Sequence, residues 1–301
     1  MMKKLFFFLL ILTVSALTSF AQVLSPYTLG AKSSKGLKES ASLVNEKLTA
    51  NGFQVLGEYA PADDPNRWLI VFTTESLLYA AGKTGGLTGF AAALRVALTF
   101  ESGRVLISYT TPEYWLNAYY RDDYETVKAL LDPLSDKLEK VMQGSGTYAG
   151  TAFGSEKGLE PDDLRSYKYM MGMPKFHETK MLGDFESYRD AIDKVESSLL
   201  KGVPEVTKVY SIEVPGKELK LYGFALGGEK GESHFLPIID ISSPKHTAFL
   251  PYEFLVMGNE VHMLHGRYRI ALSFPDLKMG TFTKIMSSPG DIQDLLERIV
   301  D

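Results

Sequence analysis

The strongest constraint on the fold is an order of predicted elements that occurs twice along the 301-residue chain. In the first half, apolar residues at helical spacing between Leu37 and Leu48 predict a helix, which is followed by strand-like segments and then by a helix that begins at Pro112. In the second half, a helix after Asp184 is again followed by strands and by a final helix that begins at Pro289. A repeated order of this kind predicts two related domains.

Short segments rich in β-branched and aromatic residues predict the strands of both halves. Those of the first half are residues 54–59, 68–73, 94–100 and 104–109. Those of the second half are residues 208–214, 219–224, 252–257, 260–264 and 267–274. Together with the helices, they predict an α+β fold with two related domains, each with helices packed on a mainly antiparallel sheet.

A glycine-rich segment separates the two halves. Glycine and serine are enriched from Gly144 to Gly158, which is typical of a flexible connection. The predicted organisation is therefore a signal peptide, a first α+β domain, a Gly-rich linker and a second α+β domain. Their respective bounds are 1–21, 22–143, 144–165 and 166–301.

The first residues have the order of a cleavable secretory signal peptide. Lys3 and Lys4 precede an apolar run over residues 5–12, and small residues lead to Ala21. The run is shorter than the roughly 20 residues that a membrane-spanning helix needs. We expect cleavage before Gln22, a soluble product in the periplasm or outside the cell, and no stable membrane insertion after cleavage.

Composition limits the possible partners. The chain has no cysteine, which excludes disulfides and a lipid anchor on cysteine. Its formal net charge is −5 and it has no basic run, so nucleic acid and anionic membranes are not expected partners. We expect instead an unknown small ligand or an envelope protein, no cofactor, and a monomer whose halves pack as a pseudo-dimer.

Two parts of the chain resemble the family called domain of unknown function 302. Residues 94–98 and 103–114 look like the hairpin and the following helix start of that family. Residues 243–245 and 250–256 look like its asparagine-proline-lysine loop and the next strand. The first half departs from the pattern, since Ala80-Ala81-Gly82-Lys83 stands where the family has its asparagine-proline pair.

The resemblance covers most of residues 27–121 and about 178–300, and it suggests two diverged copies. It implies a compact α/β domain in each half. Because the family has no established activity, the resemblance implies a fold and no catalytic residue.

Acid–base chemistry has few candidates among the residues of this chain. Glu253 lies inside an apolar run, where burial could raise its pKa and suit it to general acid or base catalysis. The possible histidine partners are His246, His262 and His265. A hydrolase-type enzyme with a site between the halves is therefore one alternative function. The favoured interpretation of Glu253 is structural, an ion pair with Arg267 or Arg269.

Metal binding has one candidate cluster, formed by Met170, Met171, Met173 and His177. Thioether and imidazole ligands suit copper(I), so a periplasmic copper-handling protein is a second alternative. Methionine is also a common filler of gaps in protein cores.

A non-catalytic binding or interaction protein is the favoured function, because nucleophilic and titratable groups are sparse. Cysteine is absent, and no serine lies in a Gly-x-Ser-x-Gly motif. Two acid–base groups within hydrogen-bond reach in one pocket would favour the enzyme. A smooth apolar or aromatic cleft would favour binding.

Overall fold

A computed structural model describes residues 23–301, so the predicted signal peptide and its cleavage site lie outside the described residues. Each half of the chain builds an antiparallel sheet with helices packed on it, which confirms the α+β fold class. Among residues 23–301, no helix combines the length and the apolar character needed to cross a bilayer.

The two sheets share one topology. The first contains β1 (Tyr27–Ser33), β2 (Gln54–Tyr59), β3 (Arg67–Thr73), β4 (Leu94–Glu101), β5 (Arg104–Thr110) and β6 (Thr147–Phe153), in the order β2-β3-β4-β5-β1-β6. The second contains β7 (Lys180–Asp184), β8 (Val206–Glu213), β9 (Leu219–Leu226), β10 (Tyr252–Met257) and β11 (Glu260–Met263), in the order β8-β9-β10-β11-β7. The five strands of the second sheet follow the same order as β1 to β5 of the first sheet, and β6 is an additional strand of the first sheet.

Along the chain, helices connect the strands in both halves. They are α1 (Leu37–Ala50), α2 (Glu75–Thr84), α3 (Pro112–Tyr120), α4 (Tyr124–Leu131), α5 (Pro133–Gln143), α6 (Pro161–Arg165), α7 (Tyr188–Lys201), α8 (Glu232–Ile239), α9 (Gly266–Ser273), α10 (Met279–Phe282) and α11 (Ser288–Glu297). Proline at the first turn begins α3 and α5, as the missing amide hydrogen allows. The predicted interruption near Pro133 is the boundary between α4 and α5.

Two predicted segments differ from the structure. The strand predicted at 267–274 is wrong, because Gly266–Ser273 is helix α9. This helix is buried nearly all round, so its sequence shows no polar face that would reveal helical periodicity. The segment predicted as a flexible linker contains β6, which pairs with β1. Gly150, with a φ of 57°, lies on β6 opposite the register shift between Leu29 and Ala31.

The two halves touch where β2 packs on β8. A Cβ atom built on Gly57 would lie 2.2 Å from the carbonyl oxygen of Val209, so the two backbones meet without an intervening side chain. A second close approach occurs at Gly89, whose Cβ would lie 2.7 Å from Cδ1 of Leu255. Glycine at these positions allows the first half to lie directly against the second.

Replacing Gly57 by alanine is expected to lower the free energy of unfolding by about 1–3 kcal/mol, because the added methyl group overpacks the junction of β2 and β8. Urea denaturation of the purified protein measures this change. Gly290→Ala is the control, since no atom lies within 4 Å of its added Cβ and alanine is favoured over glycine within a helix such as α11. If both variants were equally stable, β2 and β8 would not pack this closely.

Candidate functional site

Glu253 lies at the centre of a buried polar network between the halves. Its Oε1 contacts the guanidinium of Arg95 and the hydroxyl of Tyr210, and its Oε2 accepts a hydrogen bond of 2.6 Å from Nη1 of Arg269. Arg95 comes from β4 of the first half, whereas Tyr210 and Arg269 come from β8 and α9 of the second half. All four side chains are buried. The network therefore ties the two sheets together.

The charges around Glu253 decide its protonation state. Burial alone would raise the pKa of its carboxyl group, but Arg95, Arg269 and the hydrogen bond from Tyr210 outweigh burial and lower the pKa. Glu253 is therefore a carboxylate with both oxygens engaged. The pairing with Arg269 matches the structural interpretation, and Arg267 is exposed at a different surface.

The three candidate histidines do not join Glu253. His262 on β11 lies 3.1 Å from Oγ1 of Thr179 and 2.7 Å from Oε2 of Glu260. His265 caps α9, and its Nδ1 accepts a hydrogen bond of 3.2 Å from the amide of Arg267. Within residues 23–301, none of the three histidines forms a hydrogen bond with Glu253.

Two further buried acids link the halves, and sequence reasoning missed both. Asp240 contacts the guanidinium of Arg67 and accepts a hydrogen bond of 2.7 Å from Oγ1 of Thr247. Glu232 accepts a hydrogen bond of 2.8 Å from the hydroxyl of Tyr59 and one of 2.9 Å from the amide of Ala62. Each acid from the second half thus meets a partner from the first. In the sequence, each acid is only a charged residue next to an apolar segment. This pattern does not identify a partner that is 170 residues or more away.

His246 lies in a groove between the halves, which we call the inter-half groove. Its ring stacks on Phe274 with 4.8 Å between centroids and lies edge-on to Phe153 at 5.7 Å. The groove has a volume of about 620 Å³. Its apolar lining consists chiefly of Phe153, Ile238, Ile239, Ile241, Phe274 and Leu277.

The imidazole of His246 is the most enclosed polar group of the inter-half groove. Burial lowers its pKa, and the charge of Asp240, a hydrogen bond with the backbone of Ser273 and the charge of Asp276 only partly oppose this effect. The ring is therefore neutral at pH 7. Its Nδ1 is buried and has no hydrogen-bond partner within residues 23–301. Because this nitrogen is buried, a ligand in the inter-half groove would contact other atoms of the ring.

The four candidate copper ligands do not line one pocket together. Met171 is 94% exposed, whereas Met170 and Met173 line a small apolar pocket of about 40 Å³ beside α9. His177 lies beside a guanidinium, with its Nδ1 3.3 Å from Nη1 of Arg121. A cation there disfavours binding of another cation. Among the described residues, no group of three or more histidine, aspartate or glutamate side chains is placed to hold a metal ion.

The fold and the groove together define an α+β protein with two sheets of equivalent topology and a ligand-sized groove between them. No protein-family model matches the chain, and no curated protein matches it. A solved structure, that of an uncharacterized conserved DUF302 protein from Bacillus stearothermophilus, is similar with a TM-score of 0.34 and 14% identity. The similarity covers 39% of this chain and 97% of that chain. Part of this chain is thus similar to a protein of the family that the sequence resembles.

Proposed function

We propose that this protein is a non-catalytic binding protein that takes a small, mainly apolar ligand in the inter-half groove. The observation that carries the proposal is the aromatic and aliphatic lining of a groove of about 620 Å³. Small-molecule sites typically have this character, with volumes of roughly 300–1,000 Å³ and few polar groups. The ring of His246, which stacks on Phe274, would contribute to the aromatic wall of the site.

The arrangement of acids favours binding over hydrolysis. Glu253 is held by two guanidinium groups and a hydroxyl, and it does not line the inter-half groove. Asp276 lines the groove, but its Oδ2 accepts a hydrogen bond of 2.6 Å from the amide of Glu156. Among the described residues, no carboxylate forms a hydrogen bond with the ring of His246. The site thus lacks the paired acid and base that a hydrolase needs.

The proposal includes export and an origin by duplication. The order of charged, apolar and small residues before Gln22 supports export to the periplasm or the medium. The equal strand order of the two sheets supports two diverged copies. The buried polar links between the halves support a monomer, because one chain already supplies both partners of each contact.

An uncharged fluorescent probe, N-phenyl-1-naphthylamine, tests binding in the inter-half groove. We expect saturable binding by the full chain, with an affinity reduced about tenfold in Ile241→Asp, because the substitution places a charge on the apolar lining. Ile241 is 70% exposed, so the substitution is expected to preserve the fold.

The matched control is Leu200→Asp, which changes an apolar residue of α7 that is 90% exposed and lies outside the groove. It should bind the probe like the unmodified protein. Failure of the unmodified protein to bind, or equal binding by both variants, would count against the groove as the site.

A further inference from the structure

Three concave regions follow helix α9 and share walls. The inter-half groove shares Phe274 and Leu277 with the small apolar pocket, which we call the methionine pocket. The methionine pocket in turn shares Met173 and Arg267 with a third region of about 470 Å³, which we call the basic cleft. The eight residues of α9 span about 12 Å. A single elongated molecule could therefore contact all three regions.

The basic cleft is strongly positive in an otherwise acidic protein. Four cationic side chains line it together with one acid, Glu178. The four cations are Lys168, Lys175, Lys180 and Arg267. None of them forms an ion pair with any residue in the range 23–301. Such a concentration of unpaired positive charge favours an anionic ligand.

The two histidines of the basic cleft are also hydrogen-bond donors. Nδ1 of His265 accepts from the amide of Arg267, and Nδ1 of His177 faces the guanidinium of Arg121, which can only donate. A ring whose Nδ1 accepts carries its hydrogen on Nε2 and can donate it to a ligand. The one acid of the cleft already accepts a hydrogen bond, of 2.6 Å from the amide of Lys175 to Oε2 of Glu178. The cleft thus offers many donors and few free acceptors.

The methionine pocket is adjacent to both the cleft and the groove, since it shares lining residues with each, and its lining is mainly apolar. Its lining includes Met170, Met173, Met279 and Phe282. Its volume of about 40 Å³ suits a narrow methylene chain and not a ring. Thioether side chains are flexible and adapt to apolar ligands of varying shape.

We infer that the ligand is an amphiphile with an anionic head, of the fatty-acid class. The carboxylate lies among Lys180, Arg267 and the two imidazoles of the basic cleft, and the alkyl chain passes through the methionine pocket to the inter-half groove. This inference rests on the proposed function, because it assigns the chemistry of the ligand in the same groove. Charge complementarity at one end and an apolar lining at the other end specify this class together.

The test compares decanoate with 1-decanol, both below their aggregation limits, by calorimetry or by displacement of the fluorescent probe. Decanoate is expected to bind about tenfold more tightly than decanol. Lys180→Gln and Arg267→Gln should each remove most of this advantage, because each should weaken the binding of decanoate more than that of decanol. Lys38→Gln is the matched control, since it removes the same charge from an exposed lysine that lies outside the cleft.

A spectroscopic signal locates the head group. Burial and the charges of Lys180 and Arg267 lower the pKa of His265, and the opposing charge is that of Glu178. Decanoate should raise the pKa of His265 in an NMR titration, whereas decanol should not. Equal affinities for decanoate and decanol, with no response to the cleft variants, would overturn the inference and leave the groove proposal intact. If neither ligand nor the uncharged probe bound, the proposed function itself would fail.

Discussion

Replacing Glu253 by glutamine is expected to destabilise the protein by about 3–5 kcal/mol, as is typical when one member of a buried ion pair is removed. The carboxylate is surrounded by Arg95, Arg269 and Tyr210 and is 2% exposed. The neutral amide would leave two buried guanidinium groups without a countercharge. Because Arg95 belongs to the first half, the loss should also weaken the attachment of the halves. Urea denaturation at pH 7 measures the change.

The matched control for this variant is Asp193→Asn, which makes the same chemical change at an exposed carboxylate on α7. Asp193 pairs with Arg189 at 3.6 Å, and its side chain is 69% exposed. Exposed pairs of this kind contribute about 0–1 kcal/mol. A loss of stability in Glu253→Gln no larger than that of the control would show that the network does not hold the halves together.

A second large effect is expected from the titration of Glu232. Burial raises the pKa of this carboxyl group from 4.5 to about 7, against hydrogen bonds from Ala62, Tyr59 and Leu226 that lower it. A raised pKa in the folded protein means that folding favours the protonated form. The stabilisation is present below pH 4.5 and is lost as the pH rises through 7. The full difference corresponds to about 3 kcal/mol.

This effect is isolated by comparing the protein with Glu232→Gln from pH 4 to pH 8. Burial lowers the pKa of His246 and of His265. The contribution of these two histidines to stability therefore falls as the pH decreases. In the unmodified protein, this trend is opposite to that of Glu232. Both proteins share this contribution, and it cancels in the difference.

The free energy of unfolding of the unmodified protein, relative to that of the variant, should decrease by about 3 kcal/mol across this range. Glu229→Gln, at an exposed position, should show no such trend. A difference that is constant with pH would mean that Glu232 titrates normally.

Local chemistry explains which elements could be predicted from the sequence. Pro112 and Pro133 each lie in the first turn of a helix, where proline is favoured. The turn at residues 102–103 joins β4 and β5 as expected. These features depend on neighbouring residues only. Helix α9 was mistaken for a strand because burial on all sides removes the periodic polar positions that distinguish a helix.

The candidate site was only partly predictable, because many of its contacts join residues that are far apart in the sequence. Glu253 and Arg269 are 16 residues apart, and their pairing could be foreseen from their positions in apolar segments. Arg95, the other partner of Glu253, is 158 residues away. His246 was a candidate, but nothing in the sequence connects it with Phe153.

By itself, the sequence determined the α+β class, the repeated element order and most helix and strand positions, because these follow from side-chain periodicity and from proline and glycine geometry. The tertiary structure alone decided that Glu253 is a structural carboxylate, that His246 lines a groove, and that Met170 and Met173 line an apolar pocket beside a basic cleft. These properties depend on which distant segments meet when the two sheets pack. Burial and charge at a residue are set by those neighbours in space, and not by its neighbours in the chain.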